Sequence, residues 1–110
     1  MEVTDEIIDQ MVDVIVKEVS PEKVVLFGSR AAGNAASGSD VDFLVVESGR
    51  FGKDRSRRQE MARLWWALAI FPVPKDILVY SAEEVERWRS SLNHVVARAL
   101  REGKVVYERP

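Results

Sequence analysis

GSRAAGNAASGSDVDFLVV, residues 28–46, leads from a turn rich in glycine and serine into a segment that begins Asp-Val-Asp. Residues 41–46 are mostly β-branched or aromatic, which predicts a strand. Side chains alternate along a strand, so Asp40 and Asp42 point the same way, roughly 7 Å apart at a rise of about 3.3 Å per residue. Because aspartate is a poor strand former, the pair predicts a role beyond folding, namely a shared metal-ion site.

The Gly28-Ser29 turn follows another predicted strand, over residues 23–27. A glycine after a strand lets the chain turn tightly and brings its backbone close to a ligand. A short helix or turn is expected over residues 30–36, and the N–H groups at its start favour an anion. Ser29 adds a hydroxyl, and Gly33 gives the turn further freedom. Phosphate donors on one side and metal-binding acids on the other suit phosphoryl or nucleotidyl transfer.

A third acid, Asp76, opens a further predicted strand over residues 76–80. If the two strands are neighbours, Asp76 can join Asp40 and Asp42. Two carboxylates 4 Å apart repel by about 4 kcal/mol at an effective dielectric of about 20, and a bound dication removes that cost. We expect Mg²⁺, which combines a few carboxylates with water and phosphate oxygens. Two such ions could hold both the attacking and the leaving oxygen at a transferred phosphorus.

The remaining segments predict helices and one more strand. Helices are expected over residues 4–18, 53–70 and 92–102, another helix after Ser81, and a closing strand over residues 104–107. The expected fold class is α/β (α+β), a small mixed β-sheet flanked by helices, mainly on one face. The length of 110 residues suits a single domain over residues 1–110.

Composition argues against several other kinds of site. The chain has no cysteine and one histidine, His94, which disfavours thiolate or His-rich metal centres and His-centred triads. A net charge of −2 disfavours nucleic-acid binding driven by overall charge. The acidic N-terminal residues do not resemble a signal peptide, and no apolar run approaches the roughly 20 residues that span a bilayer. We therefore expect a cytoplasmic protein without membrane contact.

The stretch that opens this section resembles the pattern of the minimal nucleotidyltransferases, a branch of the DNA polymerase β superfamily. That pattern is Gly-Ser, ten residues, then Asp-x-Asp, and Gly28, Ser29, Asp40 and Asp42 match it. Asp76 matches the family's third acid on a later strand. The resemblance implies a polymerase β-like nucleotidyltransferase fold in which the catalytic metal ligands are Asp40, Asp42 and Asp76. It also implies a set of nucleotide-binding residues: Gly28, Ser29, Arg30, Gly33 and Ser39.

The same resemblance implies an activity and a partner. Family members transfer a nucleoside monophosphate from a nucleoside triphosphate with Mg²⁺, and many are antitoxins paired with a helical HEPN-domain toxin. Some of them adenylylate that partner on tyrosine. We therefore expect ATP as the substrate, Mg²⁺ as the cofactor, transfer of AMP from ATP, and a HEPN-type protein as the partner in a hetero-oligomer. The shortness of the chain favours the same expectation, because little is left over for an acceptor-binding domain.

Two departures from the family pattern keep alternatives open. Relatives often read Gly-Ser-x-Ala-Arg-Gly, and Ala32 stands here at the basic position. Residues 34–38 carry no acid, where relatives often have one. A binding-only antitoxin with weak or vestigial catalysis is therefore the alternative function. Transfer to RNA or to a small molecule is a third, although relatives of that kind are usually larger.

Three further features have both a structural and a functional interpretation. A basic cluster is expected to be a solvated helix face relieved by Asp54 and Glu60, with triphosphate, acceptor or RNA contact as the alternative. The cluster consists of Arg50, Lys53, Arg55, Arg57, Arg58 and Arg63. Trp65 and Trp66 diverge by about 100° on a helix, so we expect one in the core and the other at a partner interface. Trp88 and His94 are expected to be structural.

Overall fold

The computed structural model describes residues 2–33 and 40–110. Its helices are α1 (Asp5–Val19), α2 (Ser29–Ala32), α3 (Arg57–Ala67), α4 (Ala82–Trp88) and α5 (Val95–Glu102), and a 3₁₀ helix over Leu68–Ile70 follows α3. Its strands are β1 (Lys23–Phe27), β2 (Val41–Glu47), β3 (Lys75–Ser81) and β4 (Lys104–Glu108). The expected helix or turn after Ser29 is present as α2, and its predicted continuation over residues 34–36 lies outside the described residues. None of the described helices is long and apolar enough to cross a membrane.

The four strands form one mixed sheet in the order β3-β2-β1-β4. β1 pairs antiparallel with both β2 and β4, whereas β2 and β3 are parallel. This register places Asp42 opposite Phe27 on one side and opposite Asp76 on the other. The end of β1 and the beginnings of β2 and β3 therefore meet at one end of the sheet. We call this the acidic end, defined by Phe27, Asp42 and Asp76.

Apolar side chains cover both faces of the sheet. Phe43 and Ile77 belong to a larger core that includes buried residues of α1 and α3. Leu44 lies in a second core with Val85 of α4 and Val96 of α5. Helices therefore cover both faces of the sheet, and the expectation that they lie mainly on one face is wrong. The helices α4 and α5 form the second layer. Alternation along β2 sends Asp42 to the side of Leu44, which is the face that α4 and α5 cover.

Side-chain caps fix the beginnings of α1 and α4, which start where the sequence predicts these helices. The N–H of Ile7 donates to the Thr4 hydroxyl over 3.2 Å at the start of α1. At α4, the N–H of Glu84 donates to the Ser81 hydroxyl over 3.1 Å, and the Ser81 N–H donates back to the Glu84 carboxylate over 2.8 Å. This reciprocal pair is a capping box, which satisfies two otherwise unpaired donors.

Two other helices begin later than expected, again because of their caps. Ser56 accepts from the backbone of Gln59, so α3 begins after it rather than at residue 53. The preceding residues instead close a small loop through a backbone bridge between Gly52 and Arg55. His94 caps α5 by accepting at Nδ1 from the N–H of Val96 over 3.1 Å. Its structural role is thereby confirmed.

A buried carboxyl pair lies at the end of β2 that is remote from the acidic end. The side chain of Glu47 is 2% exposed and pairs with Arg55 over 2.5 Å. Oε2 of Glu47 and Oε2 of Glu60 are both buried, and neither has a hydrogen-bond partner among the described atoms. Burial, followed by the nearby Glu60 carboxyl, raises the pKa of Glu47 to about 7, although Arg55 opposes the shift. A proton held between the two carboxyl groups would satisfy both orphaned oxygens.

Replacing Glu47 by glutamine is expected to change how stability depends on pH. The pKa of Glu47 is higher in the folded than in the unfolded chain, so the folded state binds the proton more tightly. Its stabilising contribution is therefore present below about pH 4.5 and lost as pH rises to about 7. Relative to Glu47→Gln, the wild type should lose roughly 1–3 kcal/mol of unfolding free energy over that range. Urea unfolding at several pH values measures the difference, with Glu86→Gln as an exposed control. Parallel pH profiles for wild type and Glu47→Gln would contradict it.

Gly103 ends α5 for a steric reason that the sequence does not reveal. A glycine after a helix predicts a left-handed residue, but Gly103 has φ −90° and ψ 177°, an extended conformation. A Cβ at this position would lie 2.7 Å from Cγ1 of Val25 and 2.8 Å from the carbonyl oxygen of Leu26, and it would also collide with the carbonyl oxygen of Ala99. Glycine is therefore required because α5 and β1 approach each other closely.

Gly103→Ala should destabilise the protein by about 1–3 kcal/mol, since backbone atoms would have to move to admit the methyl group. Gly52→Ala is a suitable control, because nothing lies within 4 Å of a Cβ built at Gly52. Chemical denaturation of the two variants gives both free energies. Equal stability of Gly103→Ala and wild type would show that α5 can move away from β1 at little cost.

Candidate active site

The three predicted acids lie at the acidic end of the sheet. Asp42 and Asp76 occupy directly paired positions on β2 and β3, which are neighbouring parallel strands. Asp76 can therefore join Asp40 and Asp42, as expected for neighbouring strands. Asp40 precedes β2 and is exposed, whereas Asp42 is half-buried. Val41 is fixed between them by its N–H, which donates to the carbonyl oxygen of Pro74 over 2.9 Å. The backbone thus carries all three carboxyl groups to one region.

Electrostatics show that the three acids interact. Burial raises the pKa of Asp42, and the negative charges of Asp76 and then Asp40 raise it further. Such repulsion is the cost that a bound cation would offset. As the side chains stand, no three His, Asp or Glu residues among residues 2–33 and 40–110 converge closely enough to form a ready-made metal centre. The residues that could hold a metal ion are therefore Asp42 and Asp76, which the strand register holds side by side, together with the exposed Asp40.

Gly28 lies directly against the carboxylate of Asp42. It adopts φ 77° and ψ −160°, a backbone conformation that is essentially restricted to glycine. A Cβ built there would be 3.3 Å from Cγ of Asp42 and would overlap its Oδ2. The backbone at Gly28 therefore lies close to the carboxylate of Asp42, which is one of the candidate metal ligands.

The other predicted nucleotide-binding residues lie on the turn that follows Gly28. Ser29 is the first residue of α2 and is exposed, and Arg30 follows it in the same short helix. Gly33 ends α2 in the left-handed conformation, with φ 76° and ψ 13°, which confirms its predicted conformational freedom. Ser39 lies outside the described residues. The turn and the acid pair thus adjoin each other through Gly28.

A cavity of about 230 Å³ lies beside Asp42 on the face covered by α5. It is lined by Phe27, Gly28, Asp42, Val95, Arg98 and Glu102. Four of these residues are absent from the sequence-based prediction: Phe27, Val95, Arg98 and Glu102. The positions in α5 follow the spacing of a single helix stripe, but periodicity cannot tell which strand end a helix crosses. Only the packing of α5 on β1 places that stripe beside the acids.

The basic cluster of residues 50–63 does not line this site. Arg55 pairs with Glu47 at the last residue of β2, roughly 16 Å along the strand from Asp42 at about 3.3 Å per residue. Arg57 pairs with Glu84 in α4, and Arg63 pairs with Glu18 in α1. Their partners come from other elements rather than from the expected Asp54 and Glu60. The structural interpretation of the cluster is favoured, and triphosphate contact by Arg55 or Arg57 is not.

The tryptophans of α3 are both exposed, so the expectation that one lies in the core is wrong. Trp65 is 45% exposed and Trp66 is 81% exposed, while the neighbouring Leu64 fills the core instead. The ammonium group of Lys75 lies 5.3 Å from the centre of the Trp65 ring. Since Lys75 is the first residue of β3, this surface lies near the acidic end. Trp88 stacks on His94 at 4.6 Å between ring centres, as expected for a packing residue.

Comparisons with known proteins identify a family and a shared fold. The model of the nucleotidyltransferase domain family matches residues 8–106. A solved protein from Sulfolobus solfataricus, described as a candidate nucleotidyltransferase, superposes with a TM-score of 0.65 at 21% identity, covering 94% of this chain and 79% of the other. A solved toxin–antitoxin with AMP-PNP gives a TM-score of 0.57 at 18% identity, covering 92% and 73%. At these identities the two structures show a shared fold. No curated protein sequence matches significantly.

Gly28→Ala should lower the free energy of unfolding by an amount that depends on whether Asp42 is present. The substitution imposes both an unfavourable backbone conformation and an overlap with the Asp42 carboxylate. In an Asp42→Ala background the overlap is gone, so the cost of Gly28→Ala should fall by about 1 kcal/mol or more. Unfolding free energies of the wild type, both single variants and the double variant give this coupling.

Gly33→Ala is the control for backbone strain, because Gly33 also has a positive φ but nothing lies within 4 Å of its Cβ position. Its cost should be about 1–2 kcal/mol and the same with or without Asp42. If Gly28→Ala were equally costly in both backgrounds, the contact between Gly28 and Asp42 would have no energetic consequence.

Proposed function

Because the chain belongs to the nucleotidyltransferase domain family, we propose that it transfers a nucleoside monophosphate, AMP from ATP, to a hydroxyl group of a partner protein. The observation that carries the proposal is the paired register of Asp42 and Asp76 beside the glycine turn at Gly28. Paired carboxylates and a turn of exposed backbone are the two parts that such a transfer requires.

The donor set fits Mg²⁺. Carboxylate oxygens are the protein ligands that this ion prefers, and water and phosphate oxygens complete its coordination. Asp42 would be the central ligand, since its raised pKa reflects burial and repulsion from both other acids. Asp76 and Asp40 would supply the remaining carboxylates, with Asp40 free to rotate inward because it is exposed. Bound Mg²⁺ would neutralise charge that develops on the phosphate oxygens during transfer.

The chain's own groups then have separate roles in the proposed reaction. The Gly28-Ser29 turn would hold the phosphates of the nucleotide through backbone N–H groups and the Ser29 hydroxyl. The acceptor oxygen would form a bond to the α-phosphorus while the bond to pyrophosphate breaks. Asp76, on the edge strand β3, would take the proton from the acceptor hydroxyl. Its position at the sheet edge leaves room for an acceptor that arrives from outside.

A protein acceptor is supported by the surface next to the acids. Trp65, Trp66 and Ile70 are exposed on α3 and the 3₁₀ helix, close to the start of β3. Exposed aromatic residues are frequent anchors of protein interfaces. One protein of the same fold comes from a toxin–antitoxin with AMP-PNP. We propose a HEPN-type toxin as the partner, following the resemblance in the Gly-Ser and Asp-x-Asp pattern, and an antitoxin role for this chain.

Two observations favour a binding-only antitoxin as the second candidate. The described side chains do not form a converged three-ligand centre, and Ala32 replaces the basic residue of the family pattern. Such a protein would neutralise its toxin by contact through the same aromatic surface. An Asp40→Ala, Asp42→Ala double variant separates the two functions. Neutralisation that survives the double substitution would support binding alone, whereas its loss with an intact complex would require catalysis.

Transfer itself is tested with purified protein, a co-purified HEPN-type partner, Mg²⁺ and ATP labelled at the α-phosphate. We expect a mass increase of one AMP on the partner. Asp42→Asn should lower the rate about 100-fold or more, because it removes a group that stabilises charge in the transition state. The variant should remain folded, since it relieves repulsion from Asp40 and Asp76.

Asp54→Asn is the matched control, an exposed acid in the loop before α3. It should transfer AMP at the wild-type rate. Equal labelling by wild type and Asp42→Asn would place the catalytic groups elsewhere. Absence of labelling by the wild type would exclude this nucleotide or this acceptor.

A further inference from the structure

Helix α5 presents one stripe of side chains to the cavity beside Asp42. Val95, Arg98 and Glu102 recur at helical spacing, and all three line the cavity. The opposite wall is formed by the end of β1 and by Gly28 and Asp42. The cavity therefore lies between the glycine turn with Asp42 on one side and α5 on the other, and the proposed reaction assigns no role to α5.

Arg98 is the residue with a positive charge among the described residues that line this cavity. Its Nε lies 3.8 Å from the Glu102 carboxylate, and the two side chains are 65% and 62% exposed. A pair that is so open and so long contributes little to stability. The guanidinium can therefore leave Glu102 for a stronger anionic partner. Phosphate is such a partner, because the planar guanidinium can bind two of its oxygens at once.

The size of the cavity limits what can occupy it. Its volume of about 230 Å³ is below the 300–1,000 Å³ that is typical of sites for a whole drug-sized ligand. It can hold part of a nucleotide but not all of it. The cavity borders Gly28 and Asp42, whereas Asp76 is not among its lining residues. In the proposed reaction the acceptor is on the Asp76 side, so the cavity lies on the leaving-group side.

We infer that Arg98 binds the β- and γ-phosphates of the nucleoside triphosphate, and that Glu102 holds the guanidinium beside the site when no nucleotide is bound. This assignment rests on the proposed function, because it takes the nucleotide to be a triphosphate held by Gly28 and Asp42. Arg98 would stabilise the negative charge of the pyrophosphate that leaves. Glu102 would compete with that phosphate for the same guanidinium.

Calorimetric titration of the protein with ATP and with AMP, in the presence of Mg²⁺ and without an acceptor, tests the assignment. Arg98→Ala should weaken ATP binding about three- to tenfold, as expected for one partly exposed charged hydrogen-bonding group. Its effect on AMP should be much smaller, since AMP lacks the outer phosphates. Arg98→Lys should recover part of the affinity, because it keeps the charge but loses the two-oxygen geometry.

Two further variants complete the comparison. Arg101→Ala removes an exposed arginine of α5 that does not line the cavity, and it should bind ATP like the wild type. Glu102→Gln removes the competitor and should bind ATP at least as tightly as the wild type. Far-ultraviolet circular dichroism and urea unfolding establish that each variant is folded.

The outcomes separate the inference from the proposed function. If the wild type binds ATP and folded Arg98→Ala binds it equally well, Arg98 is a surface residue paired with Glu102 and the assignment is wrong. Equal weakening of ATP and AMP would also overturn it, because the contact would not be to the outer phosphates. If the wild type binds no ATP, both the proposed function and the role of Arg98 fall.

Discussion

Two carboxylates, Asp42 and Asp76, are held opposite each other by the parallel pairing of β2 and β3. Burial of Asp42, followed by the negative charges of Asp76 and Asp40, raises the pKa of Asp42 above its ordinary value, and this opposes folding at neutral pH. The rest of the fold sustains this arrangement. Buried side chains on both faces of the sheet fix the two strands, and the glycine at position 28 leaves room for the Asp42 carboxylate.

The charges of the molecule are divided between the two ends of the sheet. At the acidic end, burial and the negative charges of Asp76 and Asp40 raise the pKa of Asp42. At the other end Arg55 and Arg57 are paired with Glu47 and Glu84. The paired end contributes to structure, whereas the acidic end holds carboxyl groups whose repulsion a cation would offset in the proposed reaction. A titratable group whose pKa is shifted both by burial and by neighbouring charges is common at functional sites.

Much of this arrangement could be predicted from the sequence. The strand over residues 41–46 and the helix after Ser81 are both predicted, and both are present as β2 and α4. These are local signals, each carried by residues that are close in sequence. The expectations that failed depend on long-range packing. Whether Trp65 is buried is decided by where α3 meets the sheet, and the helices on both faces follow from how α4 and α5 return to it.

The cavity residues show the same limit more sharply. Phe27 and Arg98 are far apart in sequence, and no motif links them. Gly103 is the one local feature of α5 that reflects its close approach to β1, yet a glycine at a helix end has a simpler conformational explanation. The proposed role of Arg98 would also supply a basic group to a site in which Ala32 occupies the basic position of the family pattern.

The most direct measurement of the central claim is a crystal structure with Mg²⁺ and a non-hydrolysable ATP analogue. The account predicts a metal ion between the carboxylates of Asp42 and Asp76, with Asp40 turned toward it. It also predicts phosphate oxygens at the Gly28-Ser29 turn. A nucleotide bound elsewhere, for example near Arg55 and Arg57, with no metal ion at the acid pair would contradict the account.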